Sequence, residues 1–175
     1  MKTAFIFGLG YVGLPLAQAL AEKGWQIRGT TRTPSKLESK IGVGWEILPF
    51  AANSPLANPK RAFADIDVII STGGTGLTKR DVSVEAHSQV YEKEITAFPS
   101  MFASISMEKI GTSALQSRAC AGVRNGTYLF ALPGSPSACR DAWENLLRPQ
   151  FDYRHLPCNF VEIMPRLVKD SMDKS

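Results

Sequence analysis

Two glycine-rich segments each follow a run of apolar residues and could hold a phosphate group. Gly8-Leu9-Gly10-Tyr11-Val12-Gly13 follows Ala4–Phe7, and Gly73-Gly74-Thr75-Gly76 follows Val68–Thr72. Glycine tolerates positive φ and lets backbone N–H groups approach an anion, while the N-terminus of a following helix adds partial positive charge. If the two apolar runs are parallel strands of one sheet, their loops emerge at one edge and define a crevice for a phosphorylated ligand.

The elements that must position these loops alternate between strand and helix. This alternation predicts a three-layer α/β/α fold with a mostly parallel, doubly wound sheet, in one domain that spans residues 1–175. Arg124-Asn125-Gly126 favours a tight turn, which predicts an antiparallel strand pair in the C-terminal half. The predicted strands are 3–7, 25–30, 45–48, 66–72, 118–123 and 127–131. The predicted helices are 11–23, 84–91, 98–105, 110–116 and 137–147, with Pro149 closing the last one and a frayed or subunit-contacting tail after residue 160.

Composition restricts the class of protein. With 44% hydrophobic and 21% charged residues, the chain of 175 residues resembles a globular protein with a substantial core. No apolar run approaches the roughly 20 residues of a membrane span, and the N-terminus lacks the pattern of a signal peptide, so we expect no membrane partner and a cytoplasmic location. The net charge of +4 is modest and its basic residues are scattered. We therefore expect a small phosphorylated ligand and no nucleic acid.

Cysteine and histidine give no metal-binding pattern. Cys120, Cys139 and Cys158 are an odd number of thiols without a metal-ligand spacing, and we expect them to be reduced. His87 and His155 are isolated, which favours surface or hydrogen-bonded side chains over ligands.

The first glycine-rich loop has the context of a dinucleotide fingerprint. Gly8, Gly10 and Gly13 stand between a predicted strand and a predicted helix. NAD enzymes place a carboxylate after the second strand for the ribose hydroxyls, but this chain has Thr31 and Arg32 there, which favours the 2′-phosphate of NADP. The alternative is a Rossmann-like packing turn that supports the fold without binding a cofactor.

Residues 1 to about 66 resemble the NAD(P)-binding half of epimerase/dehydratase-type and sugar-nucleotide dehydrogenase Rossmann proteins. The resemblance lies in the first glycine-rich loop, its continuation Leu14-Pro15-Leu16-Ala17, and Gly29-Thr30-Thr31-Arg32. None of the four tyrosines has a lysine four residues on, so the Tyr-x-x-x-Lys pair for proton transfer is missing. The resemblance implies an NADP-binding module without complete oxidoreductase machinery.

From about residue 67 to 160, the chain resembles the MoaB/MogA family of molybdenum cofactor biosynthesis proteins. The matching segments are Ser71-Thr72-Gly73-Gly74-Thr75-Gly76-Leu77-Thr78-Lys79-Arg80-Asp81-Val82-Ser83, Ile110-Gly111-Thr112-Ser113-Ala114-Leu115-Gln116-Ser117-Arg118-Ala119, Phe130-Ala131-Leu132-Pro133-Gly134-Ser135-Pro136, Ala142-Trp143-Glu144-Asn145 and Arg154-His155-Leu156-Pro157-Cys158-Asn159-Phe160. Members bind molybdopterin, and active members adenylylate its phosphate with Mg-ATP. They form trimers or hexamers, so the resemblance implies a homo-oligomer.

The chemistry of the matched residues fits that activity. The backbone of Gly73, Gly74, Thr75 and Gly76 can cradle a phosphate, and Asp81 is the candidate catalytic residue and Mg²⁺ ligand. Ser113 and Arg118 are candidates for fixing the pterin or its phosphate, and Pro133, Gly134 and Ser135 are candidates for a second binding turn. For Asp81, the alternative role is an N-cap of the following helix.

The N-terminal part departs from that family. Its Asp-x-Ser-Gly element and a further acidic residue are replaced here by Gly8 to Gly13 and by the Ile47–Phe50 region, and Val84 stands where the family usually has proline. We therefore expect molybdopterin or nucleotide phosphate binding, with adenylyl transfer impaired or absent. The two resemblances suggest a chimera joined near Ala64–Asp67, whether natural or engineered. A third hypothesis is an inactive scaffold that self-associates.

Overall fold

The computed structural model describes residues 3–37, 39–50, 56, 59–63 and 65–167, apart from the side chains of residues 60 and 61. The chain divides into two compact units, Met1–Thr72 and Gly73–Ser175. Each is described by itself.

The first unit is built on four parallel strands. They are β1 (Thr3–Phe7), β2 (Gln26–Thr31), β3 (Glu46–Pro49) and β4 (Val68–Thr72), in the order β3-β2-β1-β4. The predicted pairing of the 66–72 strand beside the first strand is confirmed, with Phe7 opposite Ser71 at the carboxyl end. The strand that begins the second resemblance is thus hydrogen-bonded to the strand that precedes the first glycine-rich loop.

Apolar side chains explain why these strands form a buried layer. Phe5, Ile6 and Ile70 are at most 1% exposed, as expected for strands covered on both faces. The helix α1 (Gly13–Ala21) buries Leu16, Ala17 and Leu20, and Gly24 follows it with a φ of 78°. A 3₁₀ turn (Pro34–Lys36) and α2 (Pro59–Ala62) complete the described helices of this unit.

The second unit has three antiparallel strands, β5 (Lys93–Glu94), β6 (Cys120–Arg124) and β7 (Thr127–Leu132), in the order β7-β6-β5. Asn125 and Gly126 have φ values of 46° and 74°, the positive values expected of an Asn-Gly pair in a tight turn. The predicted hairpin is therefore confirmed. The α/β class, with parallel strands followed by an antiparallel pair, is also confirmed.

The helices of the second unit differ from the prediction at Pro149. They are α3 (Ser83–Ser88), α4 (Ala97–Ile110), a 3₁₀ turn (Gly111–Gln116), α5 (Pro136–Ala142), a π-helical turn (Trp143–Leu147) and α6 (Arg148–Gln150). Pro149 does not close the helix that precedes it. The π turn widens the backbone, with Arg148 donating to the carbonyl of Trp143, and Pro149 takes the second position of a new turn, where its missing N–H is tolerated.

The segment predicted as a tail begins with ordered structure. Asn159 is 2% exposed and caps α7 (Phe160–Ile163), its side chain accepting from the N–H of Glu162 at 2.9 Å. Phe160 packs against Tyr128 and Phe151 in an aromatic cluster, which explains why this part of the chain is held. A 3₁₀ turn (Met164–Arg166) follows, and residues 168–175 lie outside the described part.

Across the described helices, none has both the length and the apolar character that a membrane crossing would require.

Candidate functional site

The second glycine-rich segment forms a turn in which the carbonyl groups of residues 73–76 all accept hydrogen bonds from other residues of the protein. Ser83 holds the first two, its Oγ donating to the carbonyl of Gly73 at 2.7 Å and its N–H to that of Gly74 at 2.8 Å. Arg118 holds the next two, its Nε donating to the carbonyl of Thr75 at 2.9 Å and its Nη2 to that of Gly76 at 2.8 Å. Four consecutive peptide units are therefore fixed by two residues.

The N–H groups of the same four peptide units are available. Among the described residues, the N–H groups of residues 74–77 donate to no protein acceptor. In a planar trans peptide the N–H points opposite to the carbonyl, so each of these donors faces away from the group that holds its carbonyl. Consecutive N–H groups without an acceptor in a glycine turn are typical of anion-binding nests. We call residues 73–77 the phosphate turn.

Side chains of the protein approach the phosphate turn closely at two of its glycines. Gly74 has a φ of 65°, and a β-carbon there would lie 2.5 Å from the hydroxyl oxygen of Ser83. At Gly76, a β-carbon would lie 2.9 Å from Oδ2 of Asp81. The absence of side chains lets Ser83 and Asp81 approach the turn closely.

The predicted second turn, Pro133-Gly134-Ser135, lies against the phosphate turn. A β-carbon at Gly134 would be 3.2 Å from Cα of Gly73, and the N–H of Gly73 donates to the carbonyl of Leu132 at 2.9 Å. The carbonyl of Pro133 accepts from Sγ of Cys139 at 3.1 Å, and Ser135 caps α5 by accepting from the N–H of Ala138 at 3.2 Å. The structure thus brings two of the predicted binding segments together.

Asp81 borders the phosphate turn with one carboxylate oxygen engaged. Its Oδ2 accepts from the N–H of Thr78 at 2.9 Å and from the Thr78 hydroxyl. These hydrogen bonds lower the pKa of Asp81 below its ordinary value, with smaller contributions from Arg80 and Arg118. Within residues 65–167, Oδ1 accepts no hydrogen bond and remains available to a ligand. The alternative role of Asp81 as an N-cap is wrong, because Val82 precedes α3 and no side chain caps it.

The residues around Asp81 would suit Mg²⁺ only together with a phosphorylated ligand. In the part of the chain that the structure describes, no group of three or more His, Cys, Asp or Glu side chains could hold a metal ion. Mg²⁺ is commonly held by one or two carboxylates plus substrate phosphates and water, and a single available carboxylate oxygen beside free N–H groups fits that mode.

Arg118 and Ser113, the two side chains predicted to contact the pterin or its phosphate, are engaged or placed differently. Every nitrogen of the Arg118 guanidinium is hydrogen-bonded, to carbonyls of the turn and to both carboxylate oxygens of Glu85 at 2.5 and 3.3 Å. The hydrogen bond to Glu85 raises the pKa of Arg118, and the same bond lowers the pKa of Glu85. Ser113 is exposed on the 3₁₀ turn Gly111–Gln116 and has no hydrogen bond to the phosphate turn among the described residues.

His87 belongs to a partly buried chain of hydrogen bonds outside the phosphate turn. Its Nδ1 lies 3.1 Å from the Tyr91 hydroxyl, which donates to Sγ of Cys120 at 3.2 Å. Burial lowers the pKa of His87 and raises those of Tyr91 and Cys120, so all three groups are uncharged at neutral pH. Of the two environments predicted for His87, surface or hydrogen-bonded, the structure shows the hydrogen-bonded one.

The first glycine-rich loop has a similar set of available donors in the other unit. Gly8 donates to Oγ1 of Thr30 at 2.9 Å and Leu9 to the carbonyl of Thr30 at 2.7 Å, which ties the start of the loop to β2. For residues 10–13, no described group accepts from the N–H. Glycine is required at position 13, where a β-carbon would lie 2.1 Å from the carbonyl oxygen of Gly8. Gly10 has open space around it.

This loop borders a cleft of about 840 Å³ with a cationic lining. Arg32, Lys36 and Lys40 line the cleft together with Thr31, and no carboxylate is among the described lining residues. The walls also include Phe7 and Phe50, whose ring centroids are 5.7 Å apart. Such a cleft favours an anionic ligand with an apolar or aromatic part.

Several residues of these two sites were not predicted from the sequence. Ser83 ends the first segment that resembles the MoaB/MogA family and Glu85 lies two residues beyond it, but the sequence assigned neither residue a role in the site. Lys36 and Lys40 follow Arg32 at four-residue intervals, which would place cations on one face of a helix. Only Lys36 lies in a helical turn, yet both lysines reach the cleft.

Comparison with known proteins gives two family matches. Residues 54–153 match the family model described as "Probable molybdopterin binding domain". Residues 2–101 match the model of the NAD binding domain of 6-phosphogluconate dehydrogenase. The two matches overlap over residues 54–101, a stretch that contains the predicted joint.

Curated relatives match about half of the chain. Molybdenum cofactor biosynthesis protein B of Escherichia coli strain K12 is 53% identical over 96 residues, covering 55% of this chain and 56% of the relative. A "Probable molybdopterin adenylyltransferase" of Methanocaldococcus jannaschii is 50% identical over 80 residues, covering 46% and 49%. The chain thus matches only about half the length of these relatives.

Solved structures are similar in fold over nearly the whole chain. A crystal structure of a molybdenum cofactor biosynthesis protein B covers 95% of this chain and 95% of its own, with a TM-score of 0.65 and 26% identity. The Mog protein of Mycobacterium ulcerans covers 95% and 99%, with a TM-score of 0.63 and 19% identity, which concerns the fold alone. The chain belongs to the probable molybdopterin binding domain family through residues 54–153, and to the family of the NAD binding domain of 6-phosphogluconate dehydrogenase through residues 2–101.

Proposed function

We propose that the phosphate turn binds the phosphate of molybdopterin or of a nucleotide, with Asp81 as the contact for Mg²⁺. The observation that carries this proposal is the set of four consecutive peptide units with held carbonyls and available N–H groups. Backbone donors fixed in this way need little rearrangement on binding, and they are well suited to a phosphate.

The protein's own residues would bind and orient the ligand. The N–H groups of residues 74–77 would donate to phosphate oxygens, and the turn at Gly134 would support Gly73 from behind. Mg²⁺ held by Oδ1 of Asp81 would neutralise charge on the phosphates of a bound nucleotide. The family match and the names of the relatives support molybdopterin as the pterin ligand.

We propose that adenylyl transfer is impaired or absent. The match to the molybdopterin binding family begins at residue 54, whereas residues 2–101 match the model of the NAD binding domain of 6-phosphogluconate dehydrogenase. That part has the loop Gly8 to Gly13 where the MoaB/MogA family has an Asp-x-Ser-Gly element. Loss of those polar groups would remove contacts that only the reacting complex needs, and binding would survive better than turnover.

Calorimetry with molybdopterin under anaerobic conditions, and separately with AMP or Mg-ATP, tests this proposal. We expect heat of binding with the wild-type chain and weaker binding for Asp81→Ala in the presence of Mg²⁺. Glu144→Ala is the matched control, because Glu144 is an exposed carboxylate that pairs with Arg148 and makes no hydrogen bond to the phosphate turn among the described residues. Absence of heat with every ligand would contradict the proposal and favour an inactive scaffold. Equal binding by Asp81→Ala in the presence of Mg²⁺ would contradict the role of Asp81 as the Mg²⁺ contact.

A second candidate function is NADP binding in the cleft of the first unit. Three cations line that cleft without a described carboxylate, which favours a ligand carrying an additional phosphate such as the 2′-phosphate of NADP. Fluorescence titration with NADPH and NADH, using Arg32→Ala and the control Arg154→Ala, tests this assignment; Arg154 is an exposed arginine that pairs with Asp152 and does not line the cleft. We expect tighter binding of NADPH and a selective loss with Arg32→Ala, whereas equal affinities for the two cofactors would exclude it.

We also propose that the chain forms a homo-oligomer, a trimer or a hexamer. Large apolar side chains are exposed in the second unit, among them Leu77, Met107, Ile110, Leu115 and Leu156, and such surfaces are often buried by association. Light scattering of the purified chain measures its mass directly, and a monomer of 19.1 kDa would exclude the oligomer.

A further inference from the structure

We propose that Glu85 and Arg118 form a positioning pair for the phosphate turn. Glu85 holds the Arg118 guanidinium, and Arg118 holds two carbonyl groups of the turn so that the adjoining N–H groups stay available to a ligand. Neither side chain contacts the ligand. This inference rests on the proposed phosphate binding by residues 74–77.

The hydrogen bonds of Arg118 are directed inward. Nε and Nη2 donate to the carbonyls of Thr75 and Gly76, and Nη2 also lies 3.4 Å from the carbonyl of Asp81. One planar guanidinium therefore spans the turn and the start of α3. A lysine, with a single nitrogen, could not make these contacts together.

Glu85 fixes the outer side of the guanidinium. Its two carboxylate oxygens accept hydrogen bonds from Nη1 and Nη2 of Arg118, a bidentate arrangement that fixes the plane of the guanidinium. The Arg118 side chain is 30% exposed and that of Glu85 is 52% exposed, so the pair lies at the surface and Glu85 can be changed without opening the core. Glu85 lies on α3, which also carries Ser83, the residue that holds the other two carbonyls of the turn.

The direction in which Glu85→Gln changes phosphate affinity distinguishes a positioning role of Glu85 from that of a nearby negative charge. A carboxylate near an anion site repels an anion, so removing its charge by Glu85→Gln should strengthen phosphate binding if Glu85 is only a nearby charge. If Glu85 positions Arg118, the same change weakens binding, by roughly three- to tenfold for the loss of one charged hydrogen-bond pair. The two roles predict opposite changes.

Calorimetric titration with molybdopterin and with AMP, on the full chain, tests the pair. We expect weaker binding by Glu85→Gln, still weaker binding by Arg118→Lys, and no further loss when the two changes are combined, because Glu85 acts through Arg118. Glu144→Gln, which removes the charge of an exposed carboxylate in another ion pair, should bind as the wild type does. The loss at Glu85 should persist at about 0.5 M NaCl, where a purely Coulombic effect is screened.

The outcomes separate the pair from the function on which it rests. Failure of the wild-type chain to bind either ligand overturns both. Binding by the wild type, together with equal or tighter binding by Glu85→Gln, overturns the positioning pair alone, as do losses that add in the double variant. If Arg118→Lys does not fold, Glu85→Gln alone tests the pair. Its change in binding affinity must be a loss, and the amide chemical shifts of Gly76 and Leu77 in unliganded Glu85→Gln must differ from those of the wild type. Unchanged shifts would exclude positioning.

Discussion

Gly134 and Gly73 approach so closely that a β-carbon on Gly134 would lie 3.2 Å from Cα of Gly73. The two glycines belong to the two turns that the sequence proposes as binding segments. Backbone packs on backbone here, and the N–H of Gly73 also donates to the carbonyl of Leu132 at 2.9 Å. The phosphate turn is therefore supported by the end of β7 as well as by Ser83 and Arg118.

Gly134→Ala should disturb both turns. The added methyl group meets backbone, which cannot rotate away as a side chain could, and overpacking of this kind costs about 1–3 kcal/mol. We expect a lower free energy of unfolding in urea and weaker phosphate binding. Wild-type stability and affinity in this variant would show that the contact does not support the site.

Gly13→Ala and Gly10→Ala form a matched pair in the first glycine-rich loop. A β-carbon at position 13 would lie 2.1 Å from the carbonyl of Gly8, whereas one at position 10 meets nothing within 4 Å. We expect Gly13→Ala to lower the unfolding free energy by about 3 kcal/mol or more, and Gly10→Ala to change it by less than about 0.5 kcal/mol. Thermal and urea unfolding measure the difference, and equal effects would contradict the described loop geometry.

Asp81→Asn should remove the Mg²⁺-dependent part of nucleotide binding. Asparagine can still accept from Thr78 but carries no charge, so we expect Mg-ATP affinity to fall at least about tenfold, equivalent to ~1.4 kcal/mol. Affinity measured without Mg²⁺ should change little. A fall of equal size with and without Mg²⁺ would assign Asp81 a structural role instead.

The pH dependence of that site follows from the lowered pKa of Asp81. Hydrogen bonds from Thr78 favour the ionised carboxylate, so Asp81 stays charged from about pH 8 down to about pH 5. Its contribution to Mg²⁺ binding should be constant over this range and be lost only on further acidification. Thr78→Val should move the loss to higher pH, and an unchanged profile in this variant would contradict the assigned cause.

The three cysteines should differ in reactivity. Cys158 is exposed, whereas Cys120 and Cys139 are buried, and burial raises the pKa of Cys139 to about 11. The thiolate is the reactive form, so a raised pKa leaves less of it at neutral pH. With Ellman's reagent we expect one fast thiol in the native protein and three after denaturation. A second fast thiol in the native protein would contradict the described burial.

Much of the fold follows from local sequence patterns. The Asn125-Gly126 pair predicts its hairpin because few other residues accept two successive positive φ values. Continuous apolar runs predict β1 and β4, since both faces of a parallel strand are covered. Pro149 misleads because its usual effect on helices depends on regular α-helical hydrogen bonding, which the π turn before it alters.

The roles of side chains in the site are harder to predict. Arg118 is 43 residues from Thr75 in the chain, and only the folded backbone decides whether its donors meet a ligand or the carbonyls of the turn. Ser83 lies within the recognised motif, but its contact with Gly73 depends on the approach of α3 to the turn. Residue types thus predict the kind of ligand, and the structure identifies which groups are available to it.

Amide chemical shifts of the ¹⁵N-labelled chain, titrated with molybdopterin under anaerobic conditions, test the central claim most directly. The phosphate turn predicts that the largest shifts occur at residues 74–77, whose N–H groups have no described acceptor in the free protein. Shifts confined to residues 10–13, or no shifts at saturating ligand, would contradict it.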